Sequence, residues 1–331
     1  MKKRLVVIDA DTIALRNATY CQTNYDFYSV PDDELIGSYT SLKHFFEKEG
    51  KDLSQEEYRR VDIVKPAKPR GLGGPEVIGY HGCKQEIEKI INLEWVDDYE
   101  IVIHGTGNFR DEVATIKPYK GSRKDKPIYA QHMKDYLKKR YGDKCIIING
   151  EESDDYVARK GWQAWMRCED KEKYSDIDTV LAYIDKDIAQ VPGISYNYDT
   201  KEVKIISIMD AAYSFWSQCL TGDTTDNIPG VPKISKELKA KYNLRTSSGI
   251  GAKSAKTLLE GCESPKEMAE VVVEVYQDAC GEGWLERLDE VGKLLFMCQQ
   301  EGVLWDAKAT LDRMEIDYEN INIPQPEQED S

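Results

Sequence analysis

The chain has 331 residues, of which 40% are hydrophobic and 32% charged, with a formal net charge of −15 at pH 7. That length suits about two domains, or one large α/β domain with an appendage. The apolar stretch after Met1-Lys2-Lys3-Arg4 runs only from Leu5 to Ile8 before Asp9 interrupts it, too short for a signal peptide or a membrane span, so a soluble cytoplasmic protein with no membrane partner is expected.

In chain order, the first element is Leu5-Val6-Val7-Ile8-Asp9, a short, β-branched, continuous apolar run of the kind found in strands covered on both faces. Residues 25–81 are polar, carry Pro66, Pro69, Pro75 and Gly71-Leu72-Gly73-Gly74, and show no clear periodicity; they read as an insertion with mobile parts. A helix follows at 83–93, then a strand at Ile101-Val102-Ile103-His104, a helix at 128–141, a strand at Cys145-Ile146-Ile147-Ile148, a helix at 154–166 and a strand at 180–185. This βαβα order predicts an α/β fold with a mostly parallel sheet. Residues 194–198 and 203–207, joined through Asp199-Thr200-Lys201, read as a hairpin at its edge. After Ala211 the pattern is helical to about Gln300, broken at 222–232 and 247–251, which predicts a helical lobe. The domains expected are therefore 1–210 and 211–320, with a disordered tail at 321–331.

The eight cysteines, at 21, 83, 145, 168, 219, 262, 280 and 298, form no CxxC pair, so they read as reduced thiols and imply no zinc site. The glycine runs 71–74 and 105–107 lack a strand-turn-helix context and there is no GK[ST] loop, so no nucleotide cofactor is assigned.

Charge is segregated along the chain. Residues 260–331 hold 19 acidic and 5 basic residues, whereas 110–144 hold 11 basic and 5 acidic, and 233–256 hold 7 basic and 1 acidic. Two basic stretches flank three acidic clusters: Glu152-Ser153-Asp154-Asp155, Asp185-Lys186-Asp187 and Asp223-Thr224-Thr225-Asp226. Carboxylates gathered in a dry cleft repel unless protons or cations neutralise them. An all-oxygen set favours Mg²⁺ or Mn²⁺ over zinc. Ligands of such sheets bind beyond the carboxyl ends of strands, where Asp9 and Asp185 stand, with Glu152, Asp154 and Asp155 in the loop and first helical turn after another strand. Asp11 competes with Asp9, because strand alternation turns both to one face, and Asp154 and Asp155 suit a plain helix N-terminus equally well. Basic stretches around an acidic centre fit a protein that grips a phosphate backbone while a metal pocket attacks it; solvated helix faces are the bland alternative.

Six motifs in this order resemble the 5′-nucleases, a family that includes phage 5′-to-3′ exonucleases, flap endonucleases and the 5′-nuclease domain of bacterial DNA polymerase I. They are Val7-Ile8-Asp9; Asn108-Phe109-Arg110 with Pro118-Tyr119-Lys120-Gly121-Ser122-Arg123; 150–155; Ile184-Asp185-Lys186-Asp187; 222–232; and Gly249-Ile250-Gly251-Ala252-Lys253-Ser254-Ala255-Lys256. The phage-type exonucleases are the nearest in look. The resemblance implies a PIN-like catalytic domain, with Asp9, Glu152, Asp154, Asp155, Asp185, Asp187, Asp223 and Asp226 holding two Mg²⁺ or Mn²⁺ ions for an in-line phosphodiester displacement. It implies Lys120 and Arg123 as catalytic cations at the base of an arch spanning about 117–144, with 127–141 as the arch helix and Lys134, Lys138, Lys139 and Arg140 on it as backbone contacts or a solvated face. Arg110 and Tyr119 are expected to touch DNA, Tyr119 by stacking on a base or else as a half-buried surface residue. Gly249, Gly251, Lys253 and Lys256 resemble a helix-hairpin-helix motif that receives duplex phosphates, in the family often with K⁺ on backbone carbonyls. Two departures stand out. The family usually runs Gly-Val-x-Gly-Ile-Gly unbroken, whereas 233–248 is inserted here, and His104 stands where many relatives place an acid. It either replaces that carboxylate through water or is a hydrogen-bonded loop histidine.

The resemblance thus implies a metal-dependent 5′-to-3′ exodeoxyribonuclease acting on 5′ ends of duplex, nicked or flapped DNA, in the host cytoplasm if phage-encoded. Alternatives are a structure-specific flap endonuclease, a nuclease removing RNA primers from RNA–DNA hybrids, and a catalytically dead DNA-end-binding scaffold; a calcium-stabilised structural protein has no EF-hand loop to support it. The acidic C-terminal region either keeps DNA to one side or docks on a replication protein.

Overall fold

The computed structural model describes residues 4–50, 53–69, 71–123, 125–171, 173–232, 234–244 and 249–318. In chain order the elements are β1 (Arg4–Asp9), α1 (Asp11–Thr19), β2 (Gln22–Ser29), β3 (Leu35–Tyr39), α2 (Leu42–Glu49), β4 (Tyr58–Pro66), α3 (Glu76–Ile91), β5 (Val96–His104), α4 (Arg110–Val113), α5 (Ala130–Tyr141) and β6 (Cys145–Ile148). They continue with α6 (Ser153–Arg167), β7 (Thr179–Tyr183), β8 (Gly193–Asn197), β9 (Glu202–Ile206), α7 (Ile208–Thr221), β10 (Gly222–Asp223), β11 (Ile228–Pro229), α8 (Lys236–Lys241), α9 (Ala252–Leu259), α10 (Pro265–Cys280), α11 (Trp284–Leu295) and α12 (Ala307–Arg313). The expected α/β class is what the chain adopts. Its cysteines form no disulfide, and among the described residues no helix is long and apolar enough to cross a membrane.

The chain divides into two compact units, 1–103 with 124–147, and 104–123 with 148–331. The division does not follow the expected boundary at 210, because the strands at 179–206 share their unit with the helices that follow them rather than with β1.

In the first unit β1 pairs with β5 in parallel, and β5 lies between β1 and β6. Val6, Val7 and Ile8 are fully buried, as their unbroken apolar run requires. Helices α1, α3 and α5 pack on one another. Gly79 on α3 permits this, since a Cβ there would meet the Met133 and Cys21 sulfurs at 2.6 and 2.7 Å. The stretch expected to be an aperiodic insertion is largely ordered: β2 is flanked by β3 and β4 in an antiparallel sheet, with a cluster of Phe27, Tyr39 and Phe45 beneath it. Phe27 and Phe45 stack at 4.0 Å between centroids. Polar residues on the outward face of β4 hid its alternation.

The expected arch helix is corrected likewise. Residues of α5 are core: Met133 and Leu137 are fully buried and Lys134 is 7% exposed, with its ammonium 3.0 Å from Asp11. Lys138 donates to the carbonyls of Gly142 and Cys145 at 3.0 and 2.8 Å, capping the helix end, and Arg140 pairs with Glu88 at 2.7 Å.

In the second unit β7 and β8 are parallel and β9 closes antiparallel on β8, the expected hairpin. Helix α6 packs against β7 and β8, and all five residues of β7 are buried. The helical lobe has a continuous core in which Phe215, Trp216 and Cys219 of α7 meet Val272, Val273 and Tyr276 of α10, Leu288 and Val291 of α11 and Leu311 of α12. Local signals start these helices. Ser207 and Asp210 exchange hydrogen bonds at the head of α7 at 3.0 and 3.1 Å, and Ser264 before Pro265 accepts from Glu267 N–H at 3.2 Å. The acidic C-terminal quarter is thus an amphipathic half of the core up to residue 318; the expected tail at 321–331 lies outside the described residues.

Candidate active site

All the expected site residues except Asp9 belong to the second unit. Asp9 ends β1 in the first unit, 2% exposed, and accepts from the Asp11 N–H at 3.3 Å. Asp11 is not on the strand but opens α1, so the expected alternation does not carry on to it; the Lys134 ammonium lies 3.0 and 3.1 Å from its two oxygens.

The first acidic cluster forms where β6 turns into α6. Glu152 takes the N-cap position in extended conformation, and Asp155, at the third helical position, accepts the Glu152 N–H at 3.2 Å. The Tyr119 hydroxyl lies 2.8 Å from Glu152 Oε2 and 2.9 Å from Asp226 Oδ2. One hydroxyl proton serves two carboxylates, so cations must balance the remaining charge. Lys120 donates to Glu152 and stands 3.6 Å from Asp226, and Arg123 donates to Asp226. Burial by itself would raise Glu152, but the Lys120 ammonium and then the Arg110 guanidinium outweigh it and hold the carboxyl below its usual range. Burial and the neighbouring Glu152 push Tyr119 well above an ordinary phenol, so it stays a donor. Tyr119 is only 8% exposed; the expectation that it stacks on a base gives way to a hydroxyl that bridges two acids.

Arg110 is corrected more sharply. It was expected to touch DNA, yet it is fully buried, where no phosphate reaches it. Its guanidinium forms a fork on Asp155, Nη1 to Oδ2 at 2.6 Å and Nη2 to Oδ1 at 3.0 Å. Cys298 N–H adds a third donor to that carboxylate at 3.1 Å, and Glu152 N–H is the fourth. Four donors fill the roughly four lone-pair directions of a carboxylate, a departure from the expectation that Asp155 ligates a metal.

The second cluster is built by two turns. Asp185 caps the turn after β7, accepting the Asp187 N–H at 3.0 Å. The strands β10 and β11 hold Asp223 and Asp226 in a tight hairpin whose two chains nearly touch: a Cβ on Gly222 would lie 2.3 Å from Gly230 N, and one on Gly230 2.4 Å from Gly222 N. Asp223 accepts the N–H groups of Thr225 at 2.7 Å and Asp226 at 3.3 Å, and Lys186 reaches it at 2.8 Å. Burial would raise Asp223, but Lys186 and these N–H groups hold it below the usual range. Asp187 goes the other way: burial, and then the charge of Asp185, push it up to about 6. Gln218 donates to Asp187. Asp154 accepts from Ser153 Oγ at 3.1 Å.

Among the described residues no three His, Cys, Asp or Glu side chains are gathered so as to hold a metal ion. The acids lie instead against Lys120, Arg123 and Lys186. The donor set nonetheless fits a hard cation chemically: it is all oxygen, and after burial the charge of Asp185 helps to raise Asp187, a repulsion that such an ion would relieve. Residues that could hold it are Glu152, Asp154 and Asp226 on one side and Asp185, Asp187 and Asp223 on the other.

Gly249 has φ +118°, Gly251 is the N-cap of α9, and Ile250, Ala255 and Leu259 are anchored in the core. Lys253 and Lys256 are exposed. The inserted residues supply α8, fixed by Lys241 on Asp278 at 2.6 Å. His104 ends β5, its Nδ1 2.9 Å from the Glu151 carbonyl. Gln190 and Gln218, 3% and 9% exposed, were not anticipated. The available signal was an amide interrupting the apolar face of α7.

No family model matches the chain. By sequence it is 29% identical over 156 residues to a DNA polymerase I of Rhizobium leguminosarum, a match covering 44% of this chain and 13% of that protein's length. Among solved structures, a mutant of T5 5′-exonuclease aligns with 88% of this chain and 97% of its own at 12% identity and a TM-score of 0.40. T5 5′-exonuclease with bound zinc aligns with 89% of this chain and 99% of its own at 15% identity and a TM-score of 0.38. A bacteriophage T5 flap endonuclease in a pseudo-enzyme–product complex with DNA and metal ions aligns with 65% of this chain and 88% of its own, at 16% identity and a TM-score of 0.37. At such scores it is the geometry of the site, and not the superposition, that bears on what the chain does.

Proposed function

We propose that the chain is a metal-dependent 5′-nuclease, hydrolysing phosphodiester bonds from the 5′ ends of duplex, nicked or flapped DNA. The single observation that carries this reading is the meeting of acids and bases from three distant motifs on one hydroxyl: Glu152 and Asp226 share Tyr119 Oη, with Lys120 and Arg123 paired to the same two carboxylates.

Glu152, Asp154, Asp185, Asp187, Asp223 and Asp226 would hold two Mg²⁺ or Mn²⁺ ions. Such ions, when bound, lower the pKa of a coordinated water and stabilise charge on the attacking and leaving oxygens. Lys120 and Arg123 then face the scissile phosphate as fixed cations, where one well-placed group is worth roughly 3–4 kcal/mol in the transition state. Tyr119 keeps the two acids in register and donates throughout. Gly249, Gly251, Lys253 and Lys256 would receive phosphates of the duplex at the head of α9, with the K⁺ of related hairpins as a further occupant of its carbonyls.

The decisive variant is Asp185→Ala. It should abolish cleavage while binding of nicked duplex in Ca²⁺ survives; normal turnover by this variant would remove the site assignment. Product sizing on 5′-labelled nicked, flapped and RNA-primed duplexes separates mononucleotide release from flap cutting and primer removal. A parent chain that binds all three and cuts none in Mg²⁺ or Mn²⁺ would be an end-binding scaffold instead.

A further inference from the structure

The last turn of α11 and the residues after it, Leu294–Cys298, form a strap whose backbone is hydrogen-bonded on alternate sides. Even-numbered residues face one network. Arg110 Nε donates to the Leu294 carbonyl at 2.8 Å and Nη2 to that of Phe296 at 3.1 Å, while Cys298 N–H donates to Asp155 at 3.1 Å. Odd-numbered residues face another. Gln190 Nε2 donates to the Leu295 carbonyl at 2.9 Å, and Met297 N–H donates to Gln190 Oε1 at 3.3 Å. Leu294 and Leu295 end α11, where carbonyls lack a helical partner, and Phe296 is extended, with φ −70° and ψ 130°, which turns the chain out of the helix.

Each network ends at a different acidic cluster. From Arg110 it runs through Asp155 to the N–H of Glu152. From Gln190 it runs to Gln218 at 2.6 Å and on to Asp187. All four side chains are at least nine-tenths buried, where an amide or carboxylate lacking its partner is costly. Such networks hold one arrangement or fail together. The orphan carbonyls at the end of α11 are what the strap offers to Arg110 and Gln190, and a guanidinium there also suits the helix dipole.

We propose that Leu294–Cys298 sets the spacing of the two carboxylate clusters, with Arg110–Asp155 and Gln190–Gln218 as its positioning residues. This rests on the nuclease reading above and extends it: the acidic C-terminal quarter contributes backbone, not charge, to the site. Asp155 on this view orients Glu152 and binds no ion.

The test compares Gln218→Leu, Gln218→Asn and Gln190→Leu with Gln277→Leu, a control at an equally buried glutamine that binds the Tyr318 carbonyl outside the network. Mn²⁺ binding to DNA-free protein is read by electron paramagnetic resonance, and kcat and KM on nicked duplex are measured alongside. The network variants should lose about one Mn²⁺ equivalent at concentrations that fill the parent, and kcat should fall roughly 10–100-fold with KM unchanged, as removal of a ligand's supporting partner does. Gln277→Leu should lower only the melting temperature. Gln218→Asn keeps the amide and shortens its reach, so it reports on positioning even where a leucine fails to fold. Parental Mn²⁺ occupancy and kcat in Gln218→Asn, or equal Mn²⁺ loss in Gln277→Leu, would overturn the strap's role. A parent that binds no Mn²⁺ and cuts no DNA removes the nuclease reading itself, and the strap's role with it.

Discussion

Asp187 carries the clearest residue-scale consequence. Burial, and then the charge of Asp185, push its carboxyl up to about 6 from about 3.9 in an unfolded chain, so between those values the native state holds the extra proton. The contribution of Asp187 to the stability of the metal-free protein should therefore be most favourable below about pH 4, fall as pH rises to about 6, and level above it, opposite in sign to that of Glu152 and Asp223, whose lowered carboxyls lose stability on acidification. Asp187→Asn should raise the melting temperature at pH 7.5 in EDTA while weakening Mn²⁺ binding. For the parent, Mn²⁺ affinity should weaken by about tenfold per unit below pH 6, because the ion competes with that proton; a pH-independent affinity would show that Asp187 is not a ligand. Arg110 makes the opposite case. Sequence shows a cation in a basic stretch, and burial against Asp155 is invisible until both ends of a separation of 45 residues are placed. Arg110→Ala should cost about 3–5 kcal/mol in chemical denaturation, since it strands a buried carboxylate; a DNA-contacting arginine would leave stability unchanged and weaken binding.

At the scale of elements, the hairpin β10–β11 and the helix α5 were legible to different degrees. The glycines at 222 and 230 mark a turn from sequence, and the structure supplies the reason, a backbone contact with no room for a Cβ. Gly230→Ala should destabilise by roughly 2 kcal/mol or more and disturb Asp223 and Asp226 together, which loss of Mn²⁺ alongside a lowered melting point would show. Helix α5 was expected at nearly its right bounds but with the wrong surroundings. Its basic residues suggested a solvated or DNA-facing helix, whereas Met133 and Leu137 bury one face and Lys134 neutralises Asp11 within the same unit. Met133→Ala should cost about 2–5 kcal/mol; a free arch would tolerate it within about half a kcal/mol.

For the molecule as a whole, the net charge of −15 hides the segregation that makes a nucleic-acid partner reasonable. Lys253 and Lys256 should behave as backbone contacts: the double alanine variant should lower duplex affinity uniformly across sequences and reduce the slope of log K against log salt by about 2, with kcat unchanged at saturating DNA. The sequence by itself determined the α/β class, the positions of the strands with continuous apolar runs, the hairpin at 199–201 and the residue types of the acidic and basic motifs, because each rests on periodicity or spacing within a few residues. Only the tertiary structure decided which cation each carboxylate meets, that Asp155 spends its lone pairs on Arg110 and backbone, and that a strap at 294–298 reaches both acidic clusters. The electrostatic fate of a buried charge depends on partners within a few ångströms, and those partners are brought in by chain folding from segments whose separation along the sequence carries no trace of it.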